Sequence, residues 1–169
     1  MNRHGYTLIE LALVVFLLGL MLFLAVPRIR DGLINDALSS SVRKTIGVVR
    51  ALRADAVREQ VDYALNLDLK NNSFWTYSLD MTPEKLQERK NSAYHFPEGV
   101  KIVDINQPGL GKKTDGESTV TFYKQGHIRP TVIHLAREER YATIVLAPFL
   151  STIKTYEKYV EVTPEGEEK

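Results

Sequence analysis

The sequence predicts an α+β protein in which one long amino-terminal helix packs on antiparallel β-sheet. An apolar run of helix-forming residues opens the chain, and a stripe of apolar residues at helical spacing follows it. Short segments of alternating apolar and polar residues fill most of the remainder. The chain has 169 residues, which is enough for one such helix and one domain of ordinary size.

The apolar run extends from Gly5 to Pro27 and reads GYTLIELALVVFLLGLMLFLAVP. Residues 11–26 contain no charge, and Glu10 is the single acid near the start of the run. About twenty helical residues match the roughly 30 Å hydrocarbon core of a bilayer. We therefore predict a single transmembrane helix over residues 6–27.

A secretory signal peptide is the main alternative for this run. Such a peptide has a shorter apolar stretch of about 7–15 residues, and a cleavage site with small residues follows it. Here the run is longer and ends in Ala25-Val26-Pro27-Arg28, which is a poor cleavage site. The small residue Gly5 instead precedes the run, so we expect the helix to stay on the mature protein.

The head of the run, Gly5-Tyr6-Thr7-Leu8-Ile9-Glu10 after a short basic leader, resembles the type IV prepilin signal. This resemblance implies that a prepilin peptidase cuts after Gly5, removes the leader of residues 1–5 and methylates the new amino terminus at Tyr6. Tyr6 stands where the family most often has Phe. The resemblance also implies a single-pass protein of the inner membrane with its carboxyl-terminal domain in the periplasm.

Local charge does not decide the orientation in the membrane. Arg3 and His4 flank one end of the run, and Arg28 and Arg30 flank the other end. The positive-inside rule therefore gives no clear preference. The periplasmic location rests on the resemblance alone.

Glu10 is the main candidate functional residue. A carboxylate in an apolar helix costs about 2.5–3.5 kcal/mol on insertion scales, and less near the interface. One interpretation is a shallow Glu10 whose charge the helix amino terminus favours. The resemblance implies another: the matching Glu of pilin-like proteins pairs with the terminal amine of a neighbouring subunit, so we predict an assembly role for Glu10.

An amphipathic helix is predicted over residues 28–60. Pro27 removes one backbone hydrogen bond, so we expect a helix kink at that position. Apolar residues then recur three or four positions apart. They are Ile29, Leu33, Ala37, Leu38, Val42, Ile46, Val49, Leu52 and Ala56. Because such a stripe must be covered, we expect the strands that follow to pack on it.

Residues 61–162 are predicted to form a β-rich domain together with the helix of residues 28–60. The polar residues 163–169 are predicted to form a flexible tail. Alternation and turn residues predict a hairpin first, then a short helix or turn that starts at Thr82-Pro83-Glu84, and then further strands. The predicted strands are Tyr63–Leu69, Phe74–Leu79, Val100–Ile105, Ser118–Tyr123, His127–His134 and Tyr141–Ala147, with a last strand or extended segment at Ser151–Val162. Pro108–Gly116 is predicted to be a loop.

This order of features resembles the GspH/FimT group of minor pseudopilins. The resemblance rests on Arg50–Arg58 before the first strand, on Phe96–Val100, on the turn Phe122–Gly126 and on Ala147–Phe149. The group usually continues with a Thr-Gly turn, whereas this chain has Leu150-Ser151-Thr152. The resemblance implies a pilin-like fold.

The function that this resemblance implies is that of a structural minor pseudopilin in the periplasmic pseudopilus of a type II secretion system. Its partners would be other pseudopilins, the prepilin peptidase, the inner-membrane assembly platform and the membrane itself. A minor pilin of a type IV pilus or of a DNA-uptake system would share every amino-terminal feature. A membrane-anchored periplasmic enzyme is the alternative from another class.

No catalytic, cofactor or metal site is predicted. The formal net charge of +1 does not indicate nucleic-acid binding, and the absence of Cys excludes disulfides and thiolate metal sites. The four His residues lack paired metal spacing, so we expect each of them at the surface or on a strand. The Asp residues of the strands and loops are scattered, so we expect solvated positions for them, with a calcium site left open. These residues are His4, His95, His127, His134, Asp62, Asp68, Asp80, Asp104 and Asp115.

Overall fold

A computed structural model describes residues 8–149 and 153–162, and the side chains of residues 22–36 lie outside this description. The chain divides into two compact units, Met1–Asp36 and Ala37–Lys169. The first helix, α1, spans Leu8–Glu59 and contributes residues to both units. Within the described residues, no helix combines the length and the apolar character needed to cross a membrane.

The second unit contains a further helix and nine strands within the described ranges. They are, in chain order, β1 (Tyr63–Asp68), β2 (Ser73–Ser78), α2 (Pro83–Asn91), β3 (Tyr94–His95), β4 (Val100–Gln107), β5 (Gly111–Lys113), β6 (Glu117–Phe122), β7 (Thr131–Arg137), β8 (Arg140–Leu146) and β9 (Ile153–Tyr156). The strands form two antiparallel sheets, a four-stranded sheet in the order β3-β2-β1-β6 and a five-stranded sheet in the order β5-β4-β7-β8-β9.

The core of this unit lies between α1 and the inner faces of the two sheets. Val49 and Ala56 of the predicted helix stripe are fully buried, and Leu65 of β1 and Ile133 of β7 belong to the same apolar cluster. Alternate residues of each strand point into this cluster because successive side chains of a strand point to opposite faces. The predicted α+β arrangement of a long helix on antiparallel sheets is confirmed.

Asn72 connects the two sheets at the turn of the predicted hairpin. Its side-chain amide donates to the Val100 carbonyl, and its side-chain oxygen accepts from the Ile102 N–H at 2.9 Å. The Asn72 carbonyl also accepts from the Phe96 N–H at 3.1 Å. Asn72 has a φ of 51°, a left-handed conformation that Asn adopts more readily than most residues. One residue therefore supplies backbone-like hydrogen bonds to the edge of β4.

A β-bulge in β4 changes which face its residues occupy. Ile102 lies opposite Leu135 of β7, but the register then shifts, so that Asp104 lies opposite His134 and Ile105 opposite Ile133. Strict alternation would place Ile102 and Asp104 on the same face. The extra residue turns Asp104 to the outer face and returns Ile105 to the core.

The structure differs most from the predicted strands in three places. The segment predicted as a strand from His127 begins its ladder only at Thr131, because Ile128 bridges to Phe122 and Pro130 has no N–H to donate. The predicted loop Pro108–Gly116 contains β5, which pairs with the end of β4. The short strand β3 was not predicted, and it forms by pairing with β2.

Candidate assembly surface

The described amino-terminal part of α1 exposes all of its side chains. Residues 8–21 are all exposed, and Leu8 at 87% and Met21 at 73% are among the most exposed. Eleven large apolar residues contribute to this surface, and no strand of the described chain covers them. They are Leu8, Ile9, Leu11, Leu13, Val14, Val15, Phe16, Leu17, Leu18, Leu20 and Met21.

Such a surface is unfavourable in water. Burying one large apolar side chain stabilises by about 1.5–3 kcal/mol, so covering these eleven side chains is worth on the order of 20 kcal/mol. An apolar surface on all sides of a helix is typical of a segment covered by lipid or by other helices. We call residues 8–21 the apolar segment.

Glu10 lies in the first turn of α1 and its side chain is exposed. A negative charge at this end of a helix is favoured by the helix dipole. Glu10 is the only acid among the fourteen residues of the apolar segment. It therefore places one carboxylate on an otherwise uncharged surface.

The other predicted site residues are not tested by the structure. Gly5 and Tyr6, the predicted processing residues, lie outside the described residues. Pro27 falls in the range 22–36, whose side chains are outside the description, so the kink stays a prediction. The predicted membrane span of residues 6–27 extends beyond the described side chains at both ends and also stays a prediction.

A buried polar cluster lies on the outer face of the five-stranded sheet. The Asp104 and His134 side chains are 1% and 3% exposed, and Oδ1 of Asp104 is 2.6 Å from Nδ1 of His134. Nε2 of His134 donates to the Val160 carbonyl at 3.0 Å. Tyr159 donates from its hydroxyl to Oδ2 of Asp104 at 3.0 Å, and its ring stacks on that of His134 with a centroid distance of 4.1 Å.

Lys112 of β5 completes this polar cluster. Its ammonium donates to the Tyr159 hydroxyl and lies 3.5 Å from Oδ2 of Asp104. Burial opposes ionisation of Asp104, but the hydrogen bonds from His134 and Tyr159 and the Lys112 charge hold the pKa of this carboxyl below its ordinary value. A cavity of about 210 Å³ adjoins these residues.

The sequence did not predict this cluster. Asp104 was expected at a solvated position and is buried, and Asp68 of β1 is also buried, at the hairpin turn, where it accepts from Asn71. His134 lies on a strand, as expected, but is buried and paired. Its partners are 30 and 26 residues away in the chain, so no local motif could have indicated them. Within the described ranges, no three His, Asp or Glu residues are grouped so that they could hold a metal ion.

The comparison with solved structures identifies the fold. Two structures of the minor pseudopilin EpsH from the type II secretion system of Vibrio cholerae match with a TM-score of 0.54 each. Their identities to this chain are 13% and 14%, and they cover 71% and 73% of it. The matches cover 95% and 96% of the EpsH chains. This chain has the fold of a minor pseudopilin.

The sequence comparisons add no further assignment. No model of a known protein family matches the chain, and no curated protein matches it either. The predicted resemblance to the GspH-like pseudopilins agrees with the structural match, which covers 71% of this chain in one comparison and 73% in the other.

Proposed function

We propose that this chain is a structural minor pseudopilin of a type II secretion system, and that the apolar segment of α1 is its membrane and assembly element. The observation that carries the proposal is the exposed apolar surface of residues 8–21 on a chain with the minor pseudopilin fold. Other pseudopilins and the lipid of the inner membrane are the partners that would cover it. The chain's role is structural, and no enzymatic step is assigned to it.

The prepilin motif supports this proposal independently of the fold. A prepilin peptidase would cut between Gly5 and Tyr6 and methylate the new amine, and the inner-membrane platform would add the subunit to a periplasmic filament. Glu10 would then lie four residues after a cationic amine. In a medium of low dielectric constant the two charges attract strongly, so Glu10 of one subunit would pair with the amine of its neighbour.

Intact-mass measurement tests the processing step. Protein from cells that contain a prepilin peptidase should lack the first five residues and carry one added methyl group. Gly5→Ala should reduce the cleavage, because the peptidase needs an unhindered residue at that position. A full-length, unmethylated chain in such cells would contradict the proposal.

Deletion of the gene in its host tests the secretion role against the pilus alternative. Loss of protein secretion into the medium, with pilus formation and DNA uptake intact, is the expected result. Expression of the full chain in the deletion strain should restore secretion. Loss of pili or DNA uptake with normal secretion would assign the chain to a type IV pilus or uptake system instead.

A further inference from the structure

The last described residues, 157–162, lie on the outer face of the five-stranded sheet. We call this segment the strap. The Thr143 hydroxyl of β8 donates to the Lys158 carbonyl at 2.7 Å and accepts from the Val160 N–H at 3.1 Å. Together with the bonds to His134 of β7 and Asp104 of β4, these contacts carry the strap across three neighbouring strands. Side chains of the sheet therefore hold the backbone of the strap.

The strap covers a second, small apolar cluster. Val160 and Val162 of the strap pack with Val132 of β7 and Val145 of β8, and this cluster is separate from the main core between α1 and the sheets. The strap can therefore leave the sheet without opening the main core. A segment that buries only a small apolar cluster of its own is the kind that opens locally at a lower free energy than the whole domain.

One proton is shared at the centre of the polar cluster. The Val160 carbonyl can only accept a hydrogen bond, so Nε2 of His134 carries a proton. The contact of 2.6 Å between Nδ1 of His134 and Oδ1 of Asp104 needs a single proton between the two atoms. The second carboxylate oxygen accepts from Tyr159 and faces Lys112, which favours the ionised carboxylate.

Charged or titratable groups face this carboxylate from several elements. Lys112 on β5, His134 on β7 and Tyr159 on the strap contact it. Behind them, Glu161 of the strap faces Lys112, and the ring of Tyr141 of β8 contacts that of Tyr159. Glu161 is exposed and lies 3.7 Å from the Lys112 ammonium. The Asp104 carboxylate is thus the group through which β4, β5, β7 and the strap are connected.

We propose that Asp104 is an acid-sensitive latch: its carboxylate fixes the strap on the five-stranded sheet, and its protonation releases residues 157–162 while the rest of the domain stays folded. A proton added to either oxygen of this carboxyl would face a group that already donates to it, Nδ1 of His134 at Oδ1 or the Tyr159 hydroxyl at Oδ2, and it would remove the negative charge that strengthens both contacts. Release uncovers Val132 and Val145. This inference does not depend on the proposed secretion role.

The pH range follows from the direction of the Asp104 pKa. This pKa is lower in the folded protein than its ordinary value of 3.8, so the latch is fully effective above that value. Its contribution is lost as the pH falls through the lower, folded-state pKa. The strap is therefore expected to stay closed near neutral pH and to open in acid.

A single introduced thiol can report on the strap, because the chain has no Cys. The test uses the full chain in detergent with Val160→Cys, and measures the rate at which an aromatic disulfide reagent modifies the buried thiol. Asp104→Asn mimics the uncharged carboxyl at neutral pH. A hydrogen bond to a charged group is worth about 1.5–3 kcal/mol, so the rate should rise about tenfold or more.

Asp68→Asn is the matched control. Asp68 is also a buried carboxylate with a lowered pKa, but it lies in the hairpin of the four-stranded sheet. The Asp68→Asn substitution should leave the modification rate of the Val160→Cys thiol within about twofold of the rate in the parent. The single Trp, Trp75, lies on β2 of that sheet, so its emission reports whether the domain itself is folded.

Each outcome decides the proposal. Fast modification in Asp104→Asn with native Trp75 emission supports the latch, whereas an unchanged rate, or an equal rise in Asp68→Asn, overturns it. If Asp104→Asn unfolds the domain, the acid titration of the Val160→Cys parent decides instead, with Val162→Cys as a second reporter and with each rate divided by that of free cysteine at the same pH, because the reactive thiolate becomes scarcer in acid. Thiol exposure that precedes the change in Trp75 emission supports the latch, and exposure that only accompanies it overturns the proposal.

Discussion

Two parts of α1 differ in whether the rest of the chain buries their apolar side chains. In the apolar segment, residues 8–21, every described side chain is exposed. In residues 37–59, the apolar stripe that includes Val49 and Ala56 is buried by strands of the same chain. In the first part, the apolar side chains lie on all sides of the helix, whereas in the second part they lie on one face. A helix with one apolar face can be covered by its own domain, whereas a helix that is apolar on all sides is typical of a segment surrounded by other protein or by lipid.

Truncation in the core that covers the second part of α1 should have a much larger effect than truncation in the apolar segment. Phe122 is fully buried in the main core, so Phe122→Ala should lower the free energy of unfolding of the domain by about 4 kcal/mol. Leu17→Ala, in the exposed apolar segment, should change it by less than about 0.5 kcal/mol. Urea unfolding of the full chain in detergent, followed by Trp75 emission, measures both values. Similar losses in the two variants would mean that the apolar segment is part of the domain core.

Asn72 should be the next most sensitive position, because it connects the two sheets that cover the helix. Asn72→Ala removes both side-chain bonds to β4 and leaves the Ile102 N–H without its partner, at a cost of about 2 kcal/mol. Asn71→Ala is the control, since the Asn71 side chain bonds only to Asp68 of the same turn. The same urea unfolding experiment measures the two variants. Equal losses would show that the turn, and not the connection between sheets, is what Asn72 stabilises.

Glu10 should affect assembly and leave folding unchanged. Glu10→Gln removes the charge that we propose pairs with a neighbouring amine, so crosslinking to sister pseudopilins should fall by about tenfold, which corresponds to about 1.4 kcal/mol. Cleavage after Gly5 and membrane insertion should persist. Glu139→Gln in the turn between β7 and β8 removes one exposed negative charge from the domain and serves as the control. Normal crosslinking of Glu10→Gln protein would leave only the shallow, dipole-stabilised interpretation.

Asp68 should give the smallest effect, and one that depends on pH. Burial opposes its ionisation, but hydrogen bonds from the backbone and side chain of Asn71 hold its pKa below the ordinary value of 3.8. The stabilisation is therefore complete above that value and is lost as the pH falls through the lower folded-state pKa. Asp68→Asn should cost about 1 kcal/mol at neutral pH and reduce the loss of stability in acid. An unaltered acid dependence in urea unfolding would contradict this assignment.

The sequence alone determined the elements whose pattern is local. The stripe that includes Val49 and Ala56 predicted the helix face that packs on the sheets, because its spacing follows the helical repeat. Alternation from Tyr63 to Leu69 and the turn after it predicted the first hairpin, which the structure confirms. Glu10 was found because one acid in an apolar run is visible without any knowledge of neighbours. In each case the residues that decide the structure are close together in the chain.

The tertiary structure decided what depends on distant partners. The alternation of β4 would have grouped Asp104 with Ile102, and only the bulge, set by pairing with β7, turns Asp104 toward His134. The strap lies on the outer face because Val160 meets partners on strands far earlier in the chain. β5 likewise exists because the end of β4 offers it an edge. Strand pairing over long separations depends on register and burial, which no local pattern of residues encodes.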